Sequence, residues 1–115
     1  MSYLNDWCNQ YEVPIERITF GYDELGDHYL GMSYHKWRKD ERITDIRINV
    51  ILIRYRLAVM AVTWHEFCHA EKWIKDGQTD GHGDAWSRRL WRKPFLAFYS
   101  MLPAKIVFAY AKLKR

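Results

Sequence analysis

His65, Glu66 and His69 lie together in the stretch TWHEFCHAEKW, and their spacing could do chemistry. If the stretch is helical, residues four apart share a face, one turn from each other. Both imidazoles could then reach one zinc ion, at roughly 2.0–2.1 Å each. Glu66 is rotated about 100° from His65, beside the metal rather than on it. A carboxylate so placed can take a proton from a water held at the ion.

This HExxH spacing is the one metallopeptidases use. A catalytic zinc needs a third protein ligand. A continuation HxxGxxH would require glycine at 72 and histidine at 75, but Lys72 and Lys75 stand there. A downstream glutamate is excluded because none follows Glu71. His82, Asp80 and Asp84 remain. His82 leads, since imidazole suits zinc and the flanking Gly81 and Gly83 let the loop fold back. Zn2+, one per chain, is therefore the expected cofactor.

Other reactive side chains carry less. His28 falls in a turn and His35 near a strand end, and both read as ordinary surface residues. Cys68 points about 100° away from His69 and reads as a small core filler. Tyr34, His35 and Arg54 are candidates for stabilising an oxyanion.

The elements that must position these groups follow from periodicity. A first helix runs from Ser2 to about Glu12, with Leu4, Trp7, Cys8 and Tyr11 on one face, and Pro14 ends it. Three short strands follow, in RITFGY, HYLGMSYHKW and ITDIRIN, joined by the turns DELGD and WRKDER. Consecutive strands with short turns predict an antiparallel meander. From about Leu52 to Lys75 apolar residues and histidines recur at spacings of three and four, which predicts a helix stopped by Gly77. GQTDGHGD is a loop. AWSRRLWRK is a short helix that Asp84 could cap, broken by Pro94. The tail is apolar at Phe95, Phe98, Leu102, Ile106, Tyr110 and Leu113. Pro103 and Lys105 interrupt it short of the roughly 20 apolar residues a membrane span needs, so it reads as one or two helices on the core. The fold class is α+β.

With 115 residues, 49% of them hydrophobic, the chain makes one domain, residues 1–115. The net charge of +4 is uneven. Residues 1–70 carry 8 basic and 10 acidic side chains, and residues 71–115 carry 10 basic and 4 acidic. The basic half suggests an anionic partner, and the segment SRRLWRK, Ser87 to Lys93, mixes phosphate-binding arginines with Trp91. A zinc-stabilised basic module that binds nucleic acid without cutting anything is the alternative function. Two cysteines make no disulfide framework, and MSYLNDWCNQYEVP lacks the pattern of a signal peptide. An intracellular setting, cytoplasmic or nucleoid-associated and not secreted, is expected.

From about Gly21 to Trp91 the chain resembles the SprT-like (Spartan-type) zinc metalloproteases. The likeness rests on the strand end Ile46-Arg47-Ile48-Asn49, the helix with HEFCHA, and the loop GHGDAW. It implies a minimal zincin-like domain: a small antiparallel sheet beside the metal helix, with additional C-terminal helices. It implies His65, His69 and His82 as ligands and Glu66 as general base. It also implies a protein or peptide substrate, and better-known members act on proteins attached to DNA. Many members carry a four-cysteine zinc ribbon. Cys8 and Cys68 cannot supply one, so the catalytic core alone is expected.

Overall fold

A computed structural model describes residues 2–79 and 81–113. Helix α1 spans Ser2–Gln10 and buries Leu4, Trp7 and Cys8, one face of the turn. Strands β1 (Ile18–Asp23), β2 (Gly31–Arg38) and β3 (Glu41–Asn49) form one sheet in the order β1-β3-β2. β2 and β3 make a tight antiparallel hairpin, its turn accommodating Lys39 at φ 56°.

β1 does not pair with β2. It lies parallel to β3, with Ile18 opposite Thr44, so the sheet is mixed and the expected antiparallel meander is wrong. The link between β1 and β2 is long enough to carry the chain over the end of β3. Buried Asn49 fastens that link, its Nδ2 donating to the carbonyls of Gly26 (2.8 Å) and Tyr29 (2.9 Å). β3 takes the centre because its alternation is the cleanest: Thr44, Ile46 and Ile48 are all buried on one face.

Helix α2, Arg56–Asp76, packs across that face. Gly77 stops it in the left-handed conformation (φ 69°), its N–H bonded to the Trp73 carbonyl. Two indoles fix its position: Trp73 Nε1 donates to the Ile43 carbonyl of β3 at 2.9 Å, and Trp64 Nε1 to the Leu90 carbonyl at 2.8 Å. Trp64 is fully buried, stacked on Phe67 and edge-on to Trp7, which joins α1 to the core.

Helices α3 (Asp84–Leu90), α4 (Pro94–Ser100) and α5 (Ala104–Leu113) complete the described chain. Asp84 is not the cap of α3. Gly83 occupies that position without a side-chain bond, and Asp84 begins the first turn, where its charge suits the helix dipole. The tail is helical as expected, but its face is not. Phe95, Phe98, Ile106, Tyr110 and Leu113 are exposed, while Leu96, Ala97, Phe108 and Ala111 are buried. The axes of α4 and α5 meet at 82°, so one continuous stripe cannot run through both. No single helix among the described residues is long and apolar enough to cross a membrane.

One buried carboxylate ties the helices together. Glu71 of α2, its side chain 4% exposed, accepts from Arg92 Nη2 (2.6 Å) and Lys75 Nζ (3.2 Å), with Arg89 Nε at 3.7 Å. Removing one partner of a buried pair costs about 3–5 kcal/mol. Here the cations keep some water contact, which offsets part of that. Glu71→Ala is expected to lower unfolding free energy by about 2–3 kcal/mol in a urea titration, and Glu71→Gln by less.

Candidate metal centre

His65 and His69 project from the same side of α2, with ring centroids 5.1 Å apart. His82 comes in from the loop, its Nε2 3.2 Å from His65 Nε2. One nitrogen from each of the three rings lies within 4.8 Å of the others. Two nitrogens bound to one tetrahedral zinc sit about 3.3–3.4 Å apart, given bonds of 2.0–2.1 Å. Three facing imidazoles thus fit one such cation in spacing and in chemistry. Burial holds His65 down to about 4, with His82 adding to the effect. Burial holds His69 down to about 3, helped by His65 and His82. At neutral pH both are free bases, the form that coordinates a metal.

Of the other third-ligand candidates, Asp84 stays exposed at the start of α3 and is not part of the cluster. Asp80 lies outside the described residues.

The loop is held where it is needed. Lys72 is buried on α2, and its Nζ donates to the Gly81 carbonyl at 2.9 Å, next to His82. The lysine that excludes one ligand pattern therefore anchors another. Trp86 of α3 stacks on His69 (16° between planes), meets His82 at 4.4 Å, and donates from Nε1 to the His65 carbonyl at 3.3 Å. The aromatic residue of GHGDAW thus touches all three histidines and limits how their rings can turn.

Glu66 is buried beside the cluster, and Ser33 Oγ of β2 donates to its Oε1 at 3.3 Å. Burial pushes its carboxyl up to about 7, against the Ser33 bond. A cation at the histidines would favour the carboxylate and oppose that shift. β2 can approach this closely because residue 31 is glycine: a Cβ there would stand 2.6 Å from Val62 Cγ1 and 3.3 Å from Glu66 Cγ.

These groups line a cleft of about 570 Å³, with Gly31, Ser33 and His35 of β2 opposite the histidines. His35 is no ordinary surface residue. It is half-buried in that wall, its Nδ1 2.9 Å from Thr44 Oγ1. Tyr34 and Arg54, the other two candidates for oxyanion stabilisation, are not among the lining residues. His28 is exposed, as expected, but sits at the rim. Sequence reasoning missed Gly31 and Ser33, and it named His35 both as an ordinary surface residue and as one of three candidate oxyanion donors. Their signal was available: alternate residues of one strand, two of them small, sharing a face. Cys68 is fully buried and its thiol is pushed up to about 12 by burial, which fits a core filler.

The basic segment is largely occupied. Arg92 and Arg89 serve Glu71, Arg89 Nη2 also bonds Asp76 at 2.8 Å, and Lys93 reaches Gln10. Arg88 and Trp91 face outward.

A mixed three-stranded sheet, a helix carrying two histidines and a loop returning a third make an α+β domain with a candidate metal centre, and the chain belongs to the SprT-like family, whose profile matches residues 1–93. That membership suggests a metalloprotease-type domain. Among curated proteins it is similar to human germ cell nuclear acidic protein, 40% identical over 55 residues, which is 48% of this chain and 8% of that protein. The chain thus matches only a small part of that relative's length. No solved structure matches.

Proposed function

We propose that the chain is a zinc-dependent endopeptidase with a zincin-like core, in which His65, His69 and His82 hold the ion and Glu66 is the general base. The observation that carries this reading is the juxtaposition of three imidazole nitrogens within 4.8 Å with a buried carboxylate in the same cleft. Zinc, when bound, supplies a Lewis acid that activates water and polarises a carbonyl.

The protein's own groups do the rest. Glu66 takes the proton of the attacking water and returns it to the leaving amine. Ser33 orients the carboxylate by its bond to Oε1. His35 faces the cleft from the opposite wall and, of the three candidate donors Tyr34, His35 and Arg54, is the one that lines it, which makes it the donor for the developing oxyanion. β2 is an edge strand, so an extended peptide can pair along it and lie across the histidines.

The test is cleavage of an unstructured protein by the zinc-loaded chain, followed by gel and mass spectrometry. Chelation is expected to stop it and added zinc to restore it. Cleavage that persists in chelator would refute the reading. A nucleic-acid contact through residues 88–93 would have to rest on Arg88 and Trp91, because Arg89 and Arg92 are engaged in ion pairs within the fold.

A further inference from the structure

Beside the metal cleft lies a second cavity, of about 490 Å³, between the first half of α2 and the α4–α5 corner. Leu30, Val62 and Leu102 line both, so the two spaces adjoin across a shared wall. Its lining is aliphatic and aromatic apart from Arg56, which is exposed.

Two of the five α2 residues that line the cavity are alanines, which leaves room beside Arg56, Leu57 and Val62. Ala58 and Ala61 face it, and Ala61 is four residues before His65, on the same side of the helix. The cavity therefore begins about one turn, roughly 5.4 Å, before the histidines. An extended chain advances about 3.3–3.6 Å per residue. A peptide lying across the histidines would put a side chain one or two residues from the reacting bond at the cavity mouth. The far wall, with Tyr99, Ile106 and Tyr110, comes from residues beyond the family match at 1–93. The C-terminal helices thus supply one wall of this pocket, and α2 supplies another.

We propose that this cavity receives a large apolar side chain, aromatic or leucine-like, of the polypeptide bound in the metal cleft. It is a specificity subsite, and it rests on the peptidase reading. The shared wall of Leu30, Val62 and Leu102 selects the occupant: a side chain of the peptide bound in the adjoining cleft is already beside the cavity and needs no second binding event. One added or missing methylene in such a pocket changes selectivity by about 10–200-fold.

The test separates the pocket from the chemistry. Zinc-loaded Glu66→Gln protein is titrated with unstructured hexapeptides in which phenylalanine, leucine, alanine or serine occupies each position in turn. Phenylalanine or leucine is expected to bind at least about tenfold tighter than serine at one position only. Ala58 is half-buried at the cavity, so Ala58→Leu fills it and is expected to erase that preference while alanine peptides bind as before. Ile106→Ser, at an exposed wall position, should weaken the phenylalanine peptide alone. Equal binding of all peptides overturns the proposal, as does a preference that survives both variants. A parent that cuts none of these peptides, while the positional preference and its loss in Ala58→Leu hold, refutes the peptidase reading and leaves the pocket standing. Binding of no peptide refutes both.

Discussion

Glu66→Gln is expected to keep its zinc and to lose cleavage by about 10²–10⁴-fold, the usual contribution of a positioned acid–base group. Glutamine has the same shape and can still accept the Ser33 hydroxyl at Oε1. It cannot accept a proton from the attacking water. The three imidazoles are separate side chains, so metal content per chain should not change. Stability should hold or rise, because a buried carboxyl raised to about 7 is costly to ionise and the amide has no charge to desolvate. The measurement is initial rate at matched zinc occupancy, with metal content and thermal melting alongside. A variant that cuts within about threefold of the parent removes Glu66 from the mechanism. One that loses both zinc and activity says nothing special about Glu66, which is why the metal assay belongs in the same experiment.

Local periodicity made the metal helix legible. Apolar residues and histidines recur every three or four through residues 57–73 and Gly77 ends the run, although the folded helix is buried on most sides from Ala61 to Ile74. The three strands were legible for the same reason, as alternations. Their order was not. A period of two says which residues share a face, and nothing in it says which strand lies next to which. Here the Asn49 side chain, bonding two carbonyls of the β1–β2 link, is part of what fixes the order, and its role depends on residues 20 and 23 positions away.

The tail failed for a related reason. Apolar residues at 95, 98, 102, 106, 110 and 113 keep helical spacing across Pro103, but the 82° bend breaks the phase, so α5 buries Phe108 and Ala111 instead. At the site, the helical histidines and the GHG loop were visible because a metal demands particular residue types. Ser33 was not, and His35 stood only as one of three oxyanion candidates, since the face they share gains meaning once the strand is laid against the helix. The basic segment misled in the opposite direction. Arginines at 89 and 92 read as a phosphate surface, yet a single buried glutamate at 71 gathers both.

His82→Ala is expected to break the metal site without breaking the fold. His82 is exposed, so truncating it removes little packing, and Trp86 still stacks on His69. Two helical imidazoles remain, one ligand short of the three that a catalytic zinc uses. Side chains that merely orient a ligand cost about 10–100-fold in affinity when removed, so loss of a direct ligand should exceed that. Competition against a zinc chelator of known affinity reads this directly. Thermal stability gives an independent reading. Zinc held at 100 times its dissociation constant stabilises the parent by about 2.7 kcal/mol, and the variant at the same free zinc should gain close to nothing. Asp84→Ala is the control, because Asp84 stands outside the cluster at the start of α3 and should leave affinity unchanged. If His82→Ala binds zinc as tightly as the parent, and its melting temperature still rises with zinc, the loop histidine is a bystander and the geometry that brings its Nε2 to 3.2 Å from His65 has another cause.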